Sequence, residues 1–392
     1  MSATDTAPAL ADPHPFPTAL VNAEEAIARH GDFGRLWIDG MWRGDPLADA
    51  AVADGSARSI RRAIADGIDS VDDPSPALAA LFAELDSPPT WLDFDRCDRG
   101  ARLLVRQSRE YGIVLAAASL VAGATNNVAG KPLSFTGRYA GDPAVRSIEV
   151  GSWLMAATTP GGLQRDALGF ERTLRVRMIH AHVRAHLQRK PEWDAAAWGL
   201  PIPQPFMAFT LAEFCSVALR AMAQLGAGYR DDELADIHHL WRYIGHLVGV
   251  DHHFLPLTAG DYERIEDLYA LTGTGPDEGD RDFIRALAEF QAAELGRMLP
   301  GGRRPTALIR GMQRAFVGDA AADALAIPDT PWKHLPAVSA PLTRAANAVH
   351  DALVPGGAEV RTRRAFERRT VEMARLRKQY GIAHELVDDA PR

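Results

Sequence analysis

The chain has 392 residues, 47 % of them hydrophobic and 24 % charged, with a formal net charge of −8 and two cysteines. That is ample material for one large or two ordinary cores. It excludes general nucleic-acid binding, because phosphate neutralisation needs an excess of positive charge. It also excludes a disulfide framework and a cysteine-ligated zinc site.

Residues 1–20 are polar and proline-rich and are expected to be mobile. They carry no basic n-region, apolar h-region or twin arginine, so no signal peptide is expected and the default location is cytoplasmic. From residue 21 the periodicity is helical throughout, with Asp, Ser, Thr, Pro and Gly as punctuation. The spacing predicts helices over 22–30, 46–67, 76–84, 95–123, 143–157, 165–189, 205–226, 231–249, 260–271, 278–298, 305–316, 319–325, 340–353 and 360–380. No strand alternation, fixed-period repeat or Gly/Ser linker is present. The fold class is therefore all-α, with one domain over 21–356 and a basic helix and tail over 357–392. The longest apolar run, Gly112 to Ala124, is shorter than the roughly 20 residues a bilayer span needs. It reads as a buried core helix, so no integral membrane segment is expected. Cys97 and Cys215 lie in helical sequence and read as buried thiols.

The helix over 143–157 has Asp142 as a candidate N-cap and Pro143 at its first position. Its apolar face is Val150, Trp153, Leu154 and Ala157. Arg146 lies within that face, and Glu149 lies on its flank. Either the two form an ion pair at i, i+3 spacing, or Arg146 binds a cofactor carboxylate by a bidentate pair and leaves Glu149 as an acid/base group.

The next helix, Phe170 to Leu187, has three faces at 100° per residue. Val176, Ile179, Val183 and Leu187 form one apolar stripe, and Leu174, Met178, Ala181 and Ala185 a second. Between them run Thr173, Arg177, His180 and Arg184. Arg175, His182, His186 and Arg189 point away. One histidine and two arginines on a buried stripe need partners. Those partners are either acidic side chains or an anionic cofactor, with His180 as its metal ligand. Haem iron needs an axial imidazole, and its two propionates need counter-charges; His180 with Arg177 and Arg184 one turn to either side meets that demand.

Farther along, Leu234, Ile237, Trp241, Ile244 and Val248 point inward on the helix over 231–249. His239 and His246 share its outward face. Their separation of seven residues means about 10.5 Å of rise, too far for one metal whose nitrogen ligands lie about 2 Å away. His252 and His253 are adjacent, which is poor geometry for a common ion. His238, His239, His246, His252 and His253 are therefore expected to be exposed or supporting side chains. The arginines from Arg361 to Arg377, with Lys378, read as a solvated helix face interspersed with Glu367 and Glu372. No P-loop, Rossmann glycine fingerprint, Gly-x-Ser-x-Gly elbow or His-Glu-x-x-His is present.

The pattern Arg177-x-x-His180-Ala-His-Val-Arg184 resembles the R-x-x-H-A-x-V-R signature of the MpaB-like oxygenases, which include the latex-clearing rubber oxygenases. Thr136-Gly137-Arg138 followed by Arg146 is similar to that family's upstream arginine helix. Pro201-Ile-Pro-Gln204 leading to Phe209-Thr210 is similar to its loop and threonine helix. Trp241-Arg-Tyr-Ile-Gly245 through Gly249-Val250 and Pro256 is similar to its W-x-Y-x-G…G-V…P block. The resemblance covers roughly residues 100–256. It implies a haem b protein with a globin-like helical core and additional helices, with His180 as proximal iron ligand and Arg146 in or near the cofactor site. Members cleave olefinic bonds of isoprenoids with O₂.

The chain departs from the rubber enzymes in lacking a secretion signal. It has Arg146-Ser-Ile-Glu149-Val150 where they have R-x-x-K-T. Asn126, Asn127 and Lys131 occupy the region of their distal glutamate. The reading that follows is a haem-dependent oxygenase using O₂ on a small apolar, unsaturated, isoprenoid-like molecule. His180 is the metal ligand. Arg177, Arg184, Arg146, Thr173 and Thr210 bind the cofactor, and Glu149 and Arg146 act in catalysis. The rivals are a non-catalytic haem sensor or carrier and a cofactor-free helical protein. The oligomeric state is not legible.

Overall fold

The computed structural model describes residues 14–136, 143–302 and 304–382. The helices are α1 Ala23–Gly40, α2 Pro46–Asp54, α3 Ala57–Asp66, α4 Pro76–Leu85, α5 Phe94–Arg106, α6 Ser108–Val114, α7 Leu120–Gly123, α8 Asn127–Phe135, α9 Pro143–Ala157 and α10 Leu168–Leu187. They continue as α11 Ala195–Trp198, α12 Gln204–Ala212, α13 Ala218–Gln224, α14 Asp231–Val248, α15 Ala259–Thr272, α16 Glu278–Met298, α17 Thr306–Val317, α18 Asp319–Ala324, α19 Leu335–Leu353 and α20 Gly357–Gln379. No strand occurs among the described residues, and the all-α class holds.

Starts and stops follow local chemistry. Asp45 caps α2, accepting from the Ala48 N–H, with Pro46 at the first position. Asp93 caps α5, and Thr258/Asp261 and Asp277/Asp280 form capping boxes on α15 and α16. The expected helix over 46–67 is two helices, because Gly55 leaves helical geometry (ψ 150°) and Ser56 caps a new one. The expected 95–123 helix breaks at Gln107 and runs through a π-helical segment, Leu115–Ser119. A second π segment, Glu213–Val217, separates α12 from α13 and packs against the first. α1 runs to Gly40 across a break at Gly31 (φ 58°, ψ −131°). α8 was not expected; Asn126 caps it, and Pro132 lies inside it.

Ile237, Ile244, Leu247 and Trp241 of α14 are wholly buried, and α14 packs along α5. Cys97 and Cys215 are buried thiols, as expected. Gln204–Gln224 is long and apolar enough to cross a membrane, but 83 % of it is buried inside the protein. Residues 14–20 are not loose, against expectation. Thr18 and Ala19 donate to the Ala196 and Ala197 carbonyls, and His14 stacks on Trp42. Residues 1–13 and the candidate cap Asp142 lie outside the described residues. The C-terminal helix α20 is docked, packing on α5, α6, α9 and α19, with Arg369 Nη2 donating to Thr159 Oγ1 at 2.6 Å.

The pair that positions the site is α9 with α10. Gly169 fits against the Ala156 carbonyl, Trp153 Nε1 donates to Thr173 Oγ1 at 3.0 Å, and Arg172 Nη1 donates to the Ser152 carbonyl at 3.0 Å. Partners on α9 fall as those on α10 rise, so the helices run antiparallel.

Candidate functional site

The polar stripe of α10 is buried as the periodicity requires: Thr173 is fully buried, and Arg177 and Arg184 are 3 % and 1 % exposed. Their partners come from the protein. Arg177 Nε donates to Asp45 Oδ2 at 2.6 Å, Nη2 to Asp45 Oδ1 at 3.0 Å and Nη1 to Glu84 Oε1 at 2.9 Å. Burial alone would disfavour the charged guanidinium; Asp45 and Glu84 outweigh that and hold its pKa above the usual value. Arg184 Nε donates to both Asp49 oxygens at 2.8 and 3.0 Å, and Nη1 to the Ile202 carbonyl at 3.2 Å.

This corrects the assignment of Arg177 to a cofactor: every nitrogen of its guanidinium is already committed to a carboxylate. For Arg184 the correction is partial, since its Nη2 is buried without a partner. The two ion pairs explain the glycines around them. A Cβ at Gly249, where φ is +91°, would lie 2.1 Å from Asp45 Oδ2, and one at Gly44 would lie 2.6 Å from Asp49 Oδ2. Gln204 completes the latch by donating from Nε2 to the Gly44 and Gly249 carbonyls at 2.8 and 3.0 Å and accepting the Asp251 N–H at 2.8 Å. The arginines thus clamp α10 to α2 and its cap, to α4 and to the Ile202 carbonyl, while Gln204 ties in the end of α14.

His180, between the clamps, differs. Its Nδ1 is buried without a hydrogen-bond partner. Burial chiefly, then Arg184, lowers its pKa to about 4 against a smaller opposing effect of Asp45. The imidazole is therefore neutral, the form that ligates a metal.

Arg146 and Glu149 on α9 are half-buried. The Arg146 guanidinium lies over the Phe283 ring, 5.1 Å from its centroid. A third group, not anticipated, joins them. Glu213 opens the second π segment and is 8 % exposed. Its carboxyl passes over Gly123, where a Cβ would lie 2.9 Å from Oε1. Burial pushes its pKa up to about 8, partly countered by Arg146. Nearby in the fold, Ser119 ends the first π segment with its hydroxyl buried and unpartnered. π segments often mark functional sites. The sequence did hold a signal: Glu213 is the lone charge between Gln204 and Arg220.

Other expected residues serve the scaffold. Thr173 Oγ1 donates to the Gly169 carbonyl and accepts from Trp153; Thr210 Oγ1 donates to the Phe206 carbonyl. Each hydroxyl proton is spent on a backbone carbonyl of its own helix, so in this arrangement neither is offered to a cofactor. Asn126 and Asn127 hold the Tyr269 and Gly275 carbonyls, and Lys131 pairs with Asp277 at 2.8 Å. Arg138 lies outside the described residues. His238 and His239 are buried, which corrects the outward placement of His239; its Nε2 accepts the Asp93 N–H at 3.0 Å. Asp251, His252 and His253 bring three ligand-type atoms within 4.8 Å of one another. Within that turn Asp251 Oδ1 accepts the His253 N–H at 2.9 Å.

Against known proteins, residues 105–350 match the family model described as "ER-bound oxygenase mpaB/B'/Rubber oxygenase, catalytic domain". A stretch of 162 residues is 26 % identical to the rubber oxygenase of Streptomyces sp. (strain K30), spanning 40 % of this chain and 38 % of that protein. The fold is similar to the structure of latex clearing protein LCP in the closed state. That likeness has a TM-score of 0.61 at 19 % identity and covers 84 % of this chain and 91 % of that one.

Proposed function

The chain belongs to the mpaB/rubber oxygenase catalytic-domain family, and from that premise we propose that it is a haem-dependent oxygenase acting with O₂ on a small apolar, unsaturated, isoprenoid-like substrate. The observation that carries the cofactor is His180, a neutral imidazole with a buried, unpartnered Nδ1 on a helix whose Arg177 is fully paired. A proximal histidine commonly passes the N–H of its second nitrogen to a partner, and that partner is missing here. In the other respects the residues fit haem: a neutral nitrogen ligand on α10, and an Arg184 guanidinium one turn on whose Nη2 is without a partner.

Haem supplies, when bound, the iron that activates O₂. His180 holds the group, and the Arg177 and Arg184 clamps keep α10 from turning. Arg146 offers a guanidinium to a carboxylate or to a polar atom of the substrate. Glu213 keeps its proton near neutrality and can donate it from its carboxyl. Glu149, on the flank of α9, is the second carboxyl of the site. The buried setting of Glu213 limits water, which strengthens its interaction with Arg146.

The test is the visible spectrum of the purified full chain after haem supplementation, then O₂ consumption and carbonyl products with detergent-dispersed squalene as an isoprenoid probe. A Soret band with product formation supports the reading; a Soret band without turnover makes the chain a haem sensor or carrier. A cofactor-free reading also has one observation in its favour, the complete pairing of Arg177 with Asp45 and Glu84. Absence of any Soret band would establish that reading instead.

A further inference from the structure

Exposed apolar side chains are not spread evenly over this protein. Of the twelve large ones among the described residues, seven lie between Trp332 and Val371, on α19, α20 and the turn before them. On α19, Val338, Leu342, Val349 and Leu353 are 54–76 % exposed. At 100° per residue they fall within about 60° of one another, in a row about 22 Å long. The opposite side of the helix is the docked one: Pro336 and Ala340 are buried, and Gly226, just past α13, fits against the Ala340 carbonyl. Apolar side chains scattered singly need no explanation, but a contiguous exposed row marks an interaction surface.

Positive charge is concentrated in the same place. Residues 335–380 hold nine arginines and lysines against four acids, a balance of +5 in a chain whose net charge is −8. The arginines that face the body are spent. Arg361 donates to Asn347 and Asp351 at 2.6 Å each, Arg369 to Thr159, and Arg375 to Glu294 and Glu372. Arg344, Arg363, Arg364 and Arg368 are exposed and make no ion pair among the described residues. Of the acids, Asp351 and Glu372 are taken by Arg361 and Arg375, and Glu359 lies 4.0 Å from Arg102. Glu367 alone is left to oppose the four exposed arginines.

We propose that the α19–α20 hairpin docks the protein on the surface of an anionic bilayer. The Val338–Leu353 row enters the headgroup boundary, and the exposed arginines hold lipid phosphates. An apolar helix face accompanied by basic side chains is the composition of helices that lie in a membrane interface. A cluster of about four to eight basic residues on such an element selects anionic lipid. Trp332, 48 % exposed just before α19, is of a residue type enriched at that depth. A second copy of the chain is a poorer occupant, because a two-fold contact sets the same positive surface against itself. Protein hot spots centre on side chains seated in desolvated pockets, whereas this row stands on the outside of a helix. Docking here requires neither haem nor turnover, although the apolar substrate proposed above would dissolve in the same bilayer.

The experiment floats the full-length chain with vesicles of phosphatidylcholine alone and of equimolar phosphatidylcholine and phosphatidylglycerol. Binding to the anionic vesicles is expected to be at least about tenfold tighter. It should weaken by a similar factor at about 1 M salt, where charges are screened within about 3 Å. Leu342→Ser with Leu353→Ser, and separately Arg363→Gln with Arg364→Gln, should each lose at least about tenfold in affinity. All four positions are exposed, so the fold is kept. Leu257→Ser, at a position 56 % exposed elsewhere on the protein, should bind as the parent does. The proposal is overturned by absence of vesicle binding, by equal binding to both vesicles, by unchanged binding in either hairpin variant, or by an equal loss with Leu257→Ser. Tighter capture of soluble polyglutamate than of vesicles would overturn it in favour of an acidic protein. A dimer that the double leucine variant breaks, in a chain that binds no vesicle, would overturn it in favour of a second copy.

Discussion

Helices α10 and α14 each set histidines among buried side chains, and only one of them looks like a site. On α14, His239 accepts the Asp93 N–H and packs edge-on to Trp91, while His238 lies against Tyr262 at 5.0 Å between ring centroids. On α10, His180 has an unpartnered Nδ1 and neighbours that are locked elsewhere. Burial does not pick out the site, since His238 and His239 are buried while His180 is half-buried with only its Nδ1 closed to solvent. What separates them is whether each polar atom has a partner. The same distinction divides α10 internally, since Arg177 is satisfied by the fold and His180 is not.

The sharpest way to break the comparison is to delete each histidine. His180→Ala should abolish stoichiometric haem incorporation and leave the helix intact, as alanine is the better helix former. His239→Ala should keep the full Soret band and instead lose about 1 kcal/mol through the stranded Asp93 N–H. Equal haem content in both variants would make His180 one more structural histidine. The arginines give the converse case. Arg177→Ala leaves Asp45 buried without its cation, so about 3–5 kcal/mol of stability should disappear. This is to be read from urea unfolding without haem; a loss that appears only with haem present would return Arg177 to the cofactor.

Much of this was legible because the periodicity of α9 and α10 is strong. α9 falls on 143–157 as expected, and of the α10 stripe Thr173, Arg177 and Arg184 are buried while His180 is half-buried. The identities of the stripe's partners were not legible. Asp45 and Asp49 are more than 120 residues away and read locally as a cap and a first-turn acid of α2, and only the tertiary fold brings them to α10. Glu213 was missed for a related reason. Its helix is apolar on every side, so periodicity assigns it no face, and the π segment that redirects it has no sequence period of its own. His239 was misplaced because the face of α14 opposite Trp241 is covered by Trp91 and the start of α5.

Among the carboxyls, turnover should distinguish Glu213 from Glu149. Glu213→Gln keeps the shape and removes the proton donor, so a fall of about 10²–10⁴-fold at unchanged haem content is expected. Glu149→Gln should lose less than tenfold. The reverse ranking, measured as product formed per haem, would move the acid/base role to Glu149.

The smallest expected effect is on stability against pH, where His180 and Glu213 act at opposite ends. The folded pKa of His180 is lowered to about 4 from 6.5. Between those values the unfolded chain binds more protons than the folded one, so stability falls as pH drops from 6.5 and levels off below about 4. The folded pKa of Glu213 is raised to about 8 from 4.5. Here the folded chain binds more protons, so stability falls as pH rises from 4.5 and levels off above about 8. Glu213→Gln removes the second slope alone. The variant should gain stability over the parent as pH rises to 8 and nothing at pH 4. His180→Ala should flatten the acid side and leave the alkaline side as it was. Urea unfolding of the haem-free chain from pH 4 to 9 measures both. A Glu213→Gln curve parallel to the parent across that range would mean that Glu213 is ionised in the fold and serves only as a counter-ion to Arg146.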